Sequence, residues 1–184
     1  MRDILILSDS HDQPHRVDDV IEYRQSLLKN GEVLEVIFLG DGLKKVFDCK
    51  QYHNVIMHSV RGNCDYDAIY SPMGEQMPFS SFVSIGGYKV FITHGHLFSV
   101  KEGRDELYRE ASRLGADIVM FGHTHVPLLE YIKNGIIRGV EKDLTVFNPG
   151  ALSGYDGYFG NLSISENGFL LSHGKYSDIL KAKG

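Results

Sequence analysis

Residues 3–40 read DILILSDSHDQPHRVDDVIEYRQSLLKNGEVLEVIFLG, and this stretch decides the fold class. DILILS (3–8) is an apolar run that ends in a polar turn. Val17, Val20, Ile21, Leu27 and Leu28 then recur near helical spacing until Gly31 closes the segment, and EVIFLG (35–40) is a second apolar run. Strand, helix and strand in that order form a right-handed βαβ unit whose strands lie parallel. VIMHSV (55–60) reads as a third strand of the same sheet.

The second half changes pattern. SFVSIGGYKVFITHG places two alternating runs on either side of Gly86-Gly87, a strong hairpin signal, and Asn134-Gly135 and Asn167-Gly168 suggest two more. Antiparallel strands are expected there. One helix is expected over Lys101 to Leu114, with Leu107, Tyr108, Ala111 and Leu114 on one face and Gly115 as its stop. A mostly parallel sheet followed by a hairpin-rich one implies an α/β fold in which two sheets pack face to face under outer helices.

At 184 residues and 42% hydrophobic content, residues 1–184 are expected to form a single domain with a substantial core. The longest apolar runs fall far short of a bilayer span, and Met1 leads directly into a strand, so a cytoplasmic location without membrane contact is expected. Two cysteines without CxxC spacing agree with a reducing compartment; Cys49 reads as a small buried filler. A net charge of −5 with no Lys/Arg cluster argues against long nucleic acid as a partner. Two bound divalent cations would offset most of that charge.

The chemistry-bearing residues all follow apolar runs: Ser8-Asp9-Ser10-His11, Gly40-Asp41-Gly42, Arg61-Gly62-Asn63-Cys64-Asp65, Thr93-His94-Gly95-His96 and Gly122-His123-Thr124-His125. In α/β sheets, ligands gather beyond the carboxyl ends of the strands, so these five segments can meet at one edge. Each alone has an ordinary reading: Asp9 and Asp41 as turn or capping residues, Asn63 in a left-handed turn, His94 or His96 as a loop histidine. Two imidazoles one residue apart after IVMF (118–121) are harder to satisfy without a ligand. Jointly the segments supply carboxylate, imidazole and amide groups, a set suited to manganese, zinc, iron or nickel.

The ordered series DSH, GDG, GNCD, THGH and GHTH resembles the calcineurin-like metallophosphoesterases, especially their small YfcE-type phosphodiesterase branch, and NPG (148–150) is similar to a further segment of that branch. The resemblance implies a four-layer αββα sandwich of two mixed sheets with helices on both outer faces. It also implies two divalent ions, manganese foremost, one held by Asp9, His11 and His125 and the other by Asn63, His94 and His123, with Asp41 bridging. Such ions would sit roughly 3.5–4 Å apart and hold a hydroxide that attacks phosphorus in line. The implied substrate is a small phosphodiester, yielding an alcohol and a phosphomonoester; a homo-oligomer is compatible.

Cys64 stands where many members of that family carry a histidine that meets phosphate or the leaving group, so His96 becomes the expected donor or phosphate contact, and Cys64 a neighbour of the ions. Asp65 is expected only to cap the following turn. The segment ALSGYDGYFGNLSI (151–164) after NPG holds no basic residue where such family members often place one, so a phosphate-binding arginine is either absent or supplied by Arg61. The competing class is a binding module like the retromer subunit, which shares this fold but has a degraded site. The complete ligand set here favours catalysis.

Overall fold

Strand β1 (Arg2–Leu7) explains why the opening run is apolar at every step: Ile4 and Ile6 face one layer of the core while Leu5 and Leu7 face another, and all four are fully buried. The computed structural model describes residues 2–29, 31–43, 53–71 and 74–183. Cys49 lies outside the described residues. β1 pairs in parallel with β2 (Leu34–Phe38), which pairs in parallel with β3 (Val55–Ser59). Helix α1 (Pro14–Ser26) supplies the crossover between β1 and β2. It stops at Ser26, short of the expected Gly31, and Leu27 is left exposed.

The second sheet starts with β4 (Ser80–Ile85) and β5 (Tyr88–Thr93), joined by the Gly86-Gly87 turn. Both glycines have positive φ, 56° and 87°, as a two-residue hairpin turn demands. β6 (Ile118–Met120), β7 (Leu128–Ile132) and β8 (Leu144–Asn148) complete it in the order β4-β5-β6-β8-β7. Here the expectation of antiparallel strands fails in part. β5–β6 and β6–β8 are parallel, because α2 (Asp105–Arg113) and the β7 excursion carry the chain back before each new strand.

α2 begins at Asp105 and not at Lys101. Residues 99–103 instead form turns closed by Glu102 N–H to the Ser99 carbonyl at 2.9 Å and by Gly103 N–H to the same carbonyl at 3.2 Å. Asn134-Gly135 sits inside the long 133–143 connection and makes no tight hairpin. The third expected hairpin holds: β9 (Tyr158–Ser165) and β10 (Gly168–Lys175) pair antiparallel, with residues 166–167 at the turn. They extend the first sheet to the order β10-β9-β1-β2-β3.

Four layers follow from where the side chains go. Ile4, Ile6, Ile37, Val90, Ile92, Ile118 and Met120 meet between the sheets. Leu5, Leu7, Val36 and Phe38 pack under α1 and the C-terminal helix α3 (Tyr176–Lys183). Phe91, Val119 and Val146 pack under Leu107, Tyr108 and Ala111 of α2. The αββα sandwich is therefore present, and β1, β2, β3, β5, β6 and β8 all run the same way within their sheets, gathering their carboxyl ends along one edge. None of the helices among the described residues is long and apolar enough to cross a membrane.

Candidate metal centre

Just past those strand ends the backbone turns sharply. Asp9, His11, Asp41, His123 and His125 all have positive φ, from 44° to 65°, a region that few residue types enter without cost. The turns break strand alternation and let residues from different strands converge. They also demand close backbone approach: a Cβ on Gly122 would fall within 2.8 Å of Asp9 Oδ2 and collide with the Ser8 hydroxyl. A Cβ on Gly62 would strike the Asp41 carboxylate. Glycine at both positions is a packing requirement.

Two groups of possible ligands result. One joins Asp9, His11 and His125, the other Asp41, His94 and His123, and within each the ligand atoms lie within 4.8 Å of one another. A third group of the same kind, His11, Asp41 and Cys64, links the two halves through Asp41. Asp9 is held rigidly: Ser8 Oγ donates to its Oδ2 at 2.6 Å, and the His123 backbone N–H donates to the same oxygen at 3.1 Å. Its Oδ1 faces His125 Nε2 at 3.1 Å and lies 4.0 Å from both His11 Nε2 and His94 Nε2.

Three buried atoms at this edge make no well-formed hydrogen bond within the protein: Asp9 Oδ1, Asn63 Oδ1 and His94 Nε2. Close approach without a well-formed hydrogen bond is costly for such groups unless something else satisfies them. The Nε2 atoms of His11 and His125 also lie 3.2 Å apart, close enough for both to reach one ion. Carboxylate, amide and imidazole donors converging with unmet acceptors fit a divalent cation.

The electrostatics agree. Burial works against ionising Asp41, but the close approach and charge of His94 and the Cys64 N–H prevail and hold its carboxyl well below the usual range. Burial also disfavours charge on His94, yet Asp41 and Asp9 more than offset it and raise its imidazole. His125 is raised chiefly by its contact with Asp9. His123 is pushed down to about 4 by burial, by His94 and by Lys101, so its ring is neutral and available as a ligand.

The two residues expected outside the ligand set are also in place. His96 packs its ring edge-on against Phe79, 5.5 Å between centroids, at 5.5 Å from His94 and 6.1 Å from His123; its buried Nδ1 has no partner. Cys64 is exposed, its backbone N–H donates to Asp41 Oδ1 at 2.7 Å, and its thiol lies 3.3 Å from the Asn63 amide nitrogen. Burial and the Asp41, Asp65 and Asp9 carboxylates push that thiol up to about 11.

Sequence reading undervalued two residues. Asp65 does more than cap a turn. Its Oδ1 accepts the N–H groups of Gly42 and Leu43 at 2.7 and 2.9 Å, and its Oδ2 those of Asp41 and Gly62, both at 2.8 Å. It thereby clamps the β2 loop to the β3 loop. Asn148, at the end of β8, donates its amide to the Gly122 carbonyl at 2.8 Å and the Thr124 hydroxyl at 3.1 Å, fixing the loop that bears His123 and His125. His173 Nε2 lies 2.8 Å from the Asn148 carbonyl. The only sequence signal for Asn148 was the NPG segment.

The comparisons with known proteins point the same way. Residues 1–178 match the calcineurin-like phosphoesterase superfamily domain. A phosphodiesterase of Methanocaldococcus jannaschii is 30% identical over 161 residues, which cover 82% of this chain and 84% of that protein. The vacuolar protein sorting-associated protein 29 of Schizosaccharomyces pombe is 26% identical over 123 residues, 66% of this chain and 62% of that one. A crystal structure of a Streptococcus pneumoniae TIGR4 protein, described as a predicted phosphoesterase, superposes with a TM-score of 0.70 at 24% identity, covering 96% of this chain and 90% of the other.

Proposed function

The chain belongs to the calcineurin-like phosphoesterase superfamily, and from that membership we propose that it is a dinuclear metal-dependent phosphodiesterase acting on a small phosphodiester. The observation that carries the reading is the set of unpartnered buried atoms, Asp9 Oδ1, Asn63 Oδ1 and His94 Nε2, among imidazoles that face one another. Asp9, His11 and His125 would hold one divalent ion; Asn63, His94 and His123 would hold a second; Asp41, which belongs to two of the ligand groups, would lie between them. When bound, such a pair supplies an acidified water as nucleophile and neutralises the charge that builds on the phosphoryl oxygens.

The protein's own part is positioning. The Leu39 carbonyl accepts from His94 Nδ1 at 2.7 Å, which fixes the tautomer and leaves Nε2 as the coordinating atom. Ser8 and the His123 N–H fix Asp9, while Asp65 fixes the backbone of Asp41. His96, whose Nδ1 is unpartnered, is the group assigned to meet the leaving oxygen. Cys64 is not assigned that transfer, because a thiol is a weak hydrogen-bond donor. The products are an alcohol and a phosphomonoester. A net charge of −5 keeps long nucleic acid out of the substrate class and accords with a cytoplasmic small-molecule role.

The complete ligand set supports catalysis over a role as a binding module. The test is chelation followed by reconstitution with manganese, zinc, iron or nickel, using matched phosphodiesters and phosphomonoesters. Activity restored by an added divalent ion, manganese best, and greater on diesters is the expected result. Full activity with no ion restored would overturn the proposal.

A further inference from the structure

Beside the ligand cluster lies a cleft of about 370 Å3 whose wall includes Arg61, Asn63, Asp65, Tyr66, Ile69, Phe79 and His96. Its composition differs from the rest of the site edge. The Arg61 guanidinium lies over the Phe79 ring at 4.1 Å, and among the described residues no carboxylate pairs with it. Its Nε is buried with no hydrogen-bond partner, as is His96 Nδ1 on the same wall. Arg61 carries a permanent charge and a rigid fork of donors, so its guanidinium, on the cleft wall without a carboxylate partner among the described residues, is open to an anion.

The rest of the wall is flat and apolar. Tyr66 is 76% exposed, Ile69 40% and Phe79 37%, so three large apolar side chains line one small cleft without covering each other. Phe79 is fixed: its carbonyl accepts from Thr93 Oγ1 at 3.0 Å, and the neighbouring Pro78 carbonyl accepts from the Arg61 N–H at 2.8 Å. The plate against which Arg61 rests therefore belongs to the frame, tied to both β3 and β5.

A second cleft, of about 360 Å3, shares Tyr66 and Asp65, whose carboxylate is occupied by four backbone N–H groups, but its wall also carries His11, Asp12, Cys64 and Asp67. A phosphodiester bears one ester group on each side of phosphorus. An aromatic group gains the larger stacking area in the first cleft, where Ile69 and Phe79 join Tyr66 and a cation awaits the phosphoryl charge; the second adds Asp12 and Asp67, which disfavour further negative charge.

We propose that the cleft lined by Arg61, Tyr66, Ile69, Phe79 and His96 selects phosphodiesters with a flat aromatic or nucleobase-bearing ester group on that side, the Arg61 guanidinium meeting a phosphoryl oxygen. The assignment rests on the phosphodiesterase reading above and deepens it by naming the substrate class.

Direct binding separates the two. The manganese-loaded full chain is titrated by calorimetry with phenyl phosphate and, separately, with methyl phosphate, and each is scored as a competitive inhibitor of diester hydrolysis. Phenyl phosphate is expected to bind at least about tenfold more tightly than methyl phosphate, the scale of one aromatic stack. That preference should shrink to about threefold or less in Tyr66→Ala and Phe79→Leu, while Arg61→Gln weakens both ligands about tenfold, a phosphate contact being common to both. Arg61→Gln should also raise KM more than it lowers kcat, a split that a purely structural Arg61–Phe79 contact would not produce. Equal affinity of the wild type for the two phosphates overturns the assignment, as does a preference that survives both aromatic substitutions. Metal-dependent binding of neither phosphate overturns it together with the reading beneath it, whereas tight but unselective binding overturns the substrate class alone.

Discussion

His94 Nε2 stands 3.3 Å from Asp41 Oδ2, while Nδ1 of the same ring lies 2.7 Å from the Leu39 carbonyl. A carbonyl only accepts, so Nδ1 carries the proton, and a neutral His94 aims a lone pair at a carboxylate. That geometry is stable only with a second ring proton or with a cation placed to serve both groups. The Asp41 and Asp9 carboxylates, prevailing over burial, raise the His94 imidazole and so favour a positive charge at this point.

Replacing Asp41 with Asn removes the charge from this pair while retaining an oxygen for the Cys64 N–H. Metal-dependent diester hydrolysis is expected to fall at least about a hundredfold, the upper range seen when partners of metal ligands are removed. Steady-state kinetics with metal analysis of the purified variant checks this, and an unchanged circular dichroism spectrum shows that the fold survives. Hydrolysis within about threefold of wild type would contradict a role for Asp41 between two ions.

Asp65 predicts a stability effect as well. Asp65→Asn presents an NH2 group to one of the two pairs of backbone N–H donors that the carboxylate now receives. Leaving such donors unmet costs about 2–4 kcal/mol. For a chain of this size that lowers Tm by roughly 5–12 °C, which a thermal melt reads directly. Manganese affinity should weaken about tenfold or more, because the Asp41 loop loses its anchor.

Cys64 reports on the ions through its thiol. In the metal-free protein, burial and the neighbouring carboxylates disfavour the thiolate, so alkylation by iodoacetamide should be slow at neutral pH and rise as pH climbs toward about 11. Bound cations favour the thiolate, so metal loading should move the rise to lower pH. Peptide mapping of the Cys64 adduct across pH, with and without manganese, measures both curves. A metal-loaded curve displaced upward would place the ions away from Asp41.

Gly122 tests the packing behind Asp9. Gly122→Ala forces its new methyl into the Ser8 hydroxyl and close to the Asp9 carboxylate, at an expected cost of about 1–3 kcal/mol and with weakened metal binding. Adding Ser8→Ala removes the first obstacle. The double variant should recover part of the Tm lost by the single one, and a loss that simply added would argue against this contact.

What could be read in advance followed from local pattern. The alternation of Ile4, Leu5, Ile6 and Leu7 marks a strand buried on both faces, and the positive-φ turn at Gly86-Gly87 is a property of two adjacent residues. The parallel β5–β6–β8 block was missed because pairing direction depends on where α2 and β7 return the chain, which no short window contains. The site segments were legible since their donors are chemically distinctive. Asp65 was not: an aspartate in a turn looks the same whether it meets one N–H or four, and the four belong to loops brought together only by the β2–β3 pairing. The meeting of Arg61, Tyr66 and Phe79 on one cleft wall likewise exists only in the folded chain.

The left-handed backbone at Asp9, His11, Asp41, His123 and His125 acts as a filter on what any of these positions can become. Asparagine, aspartate, histidine and glycine enter that conformation most readily, whereas β-branched and bulky apolar side chains do so at a penalty. Three of the four tolerated types can coordinate a cation. A random substitution here is thus steered by the main chain toward another electron-pair donor or toward a bare hydrogen, so the edge tends to weaken by degrees before it turns greasy.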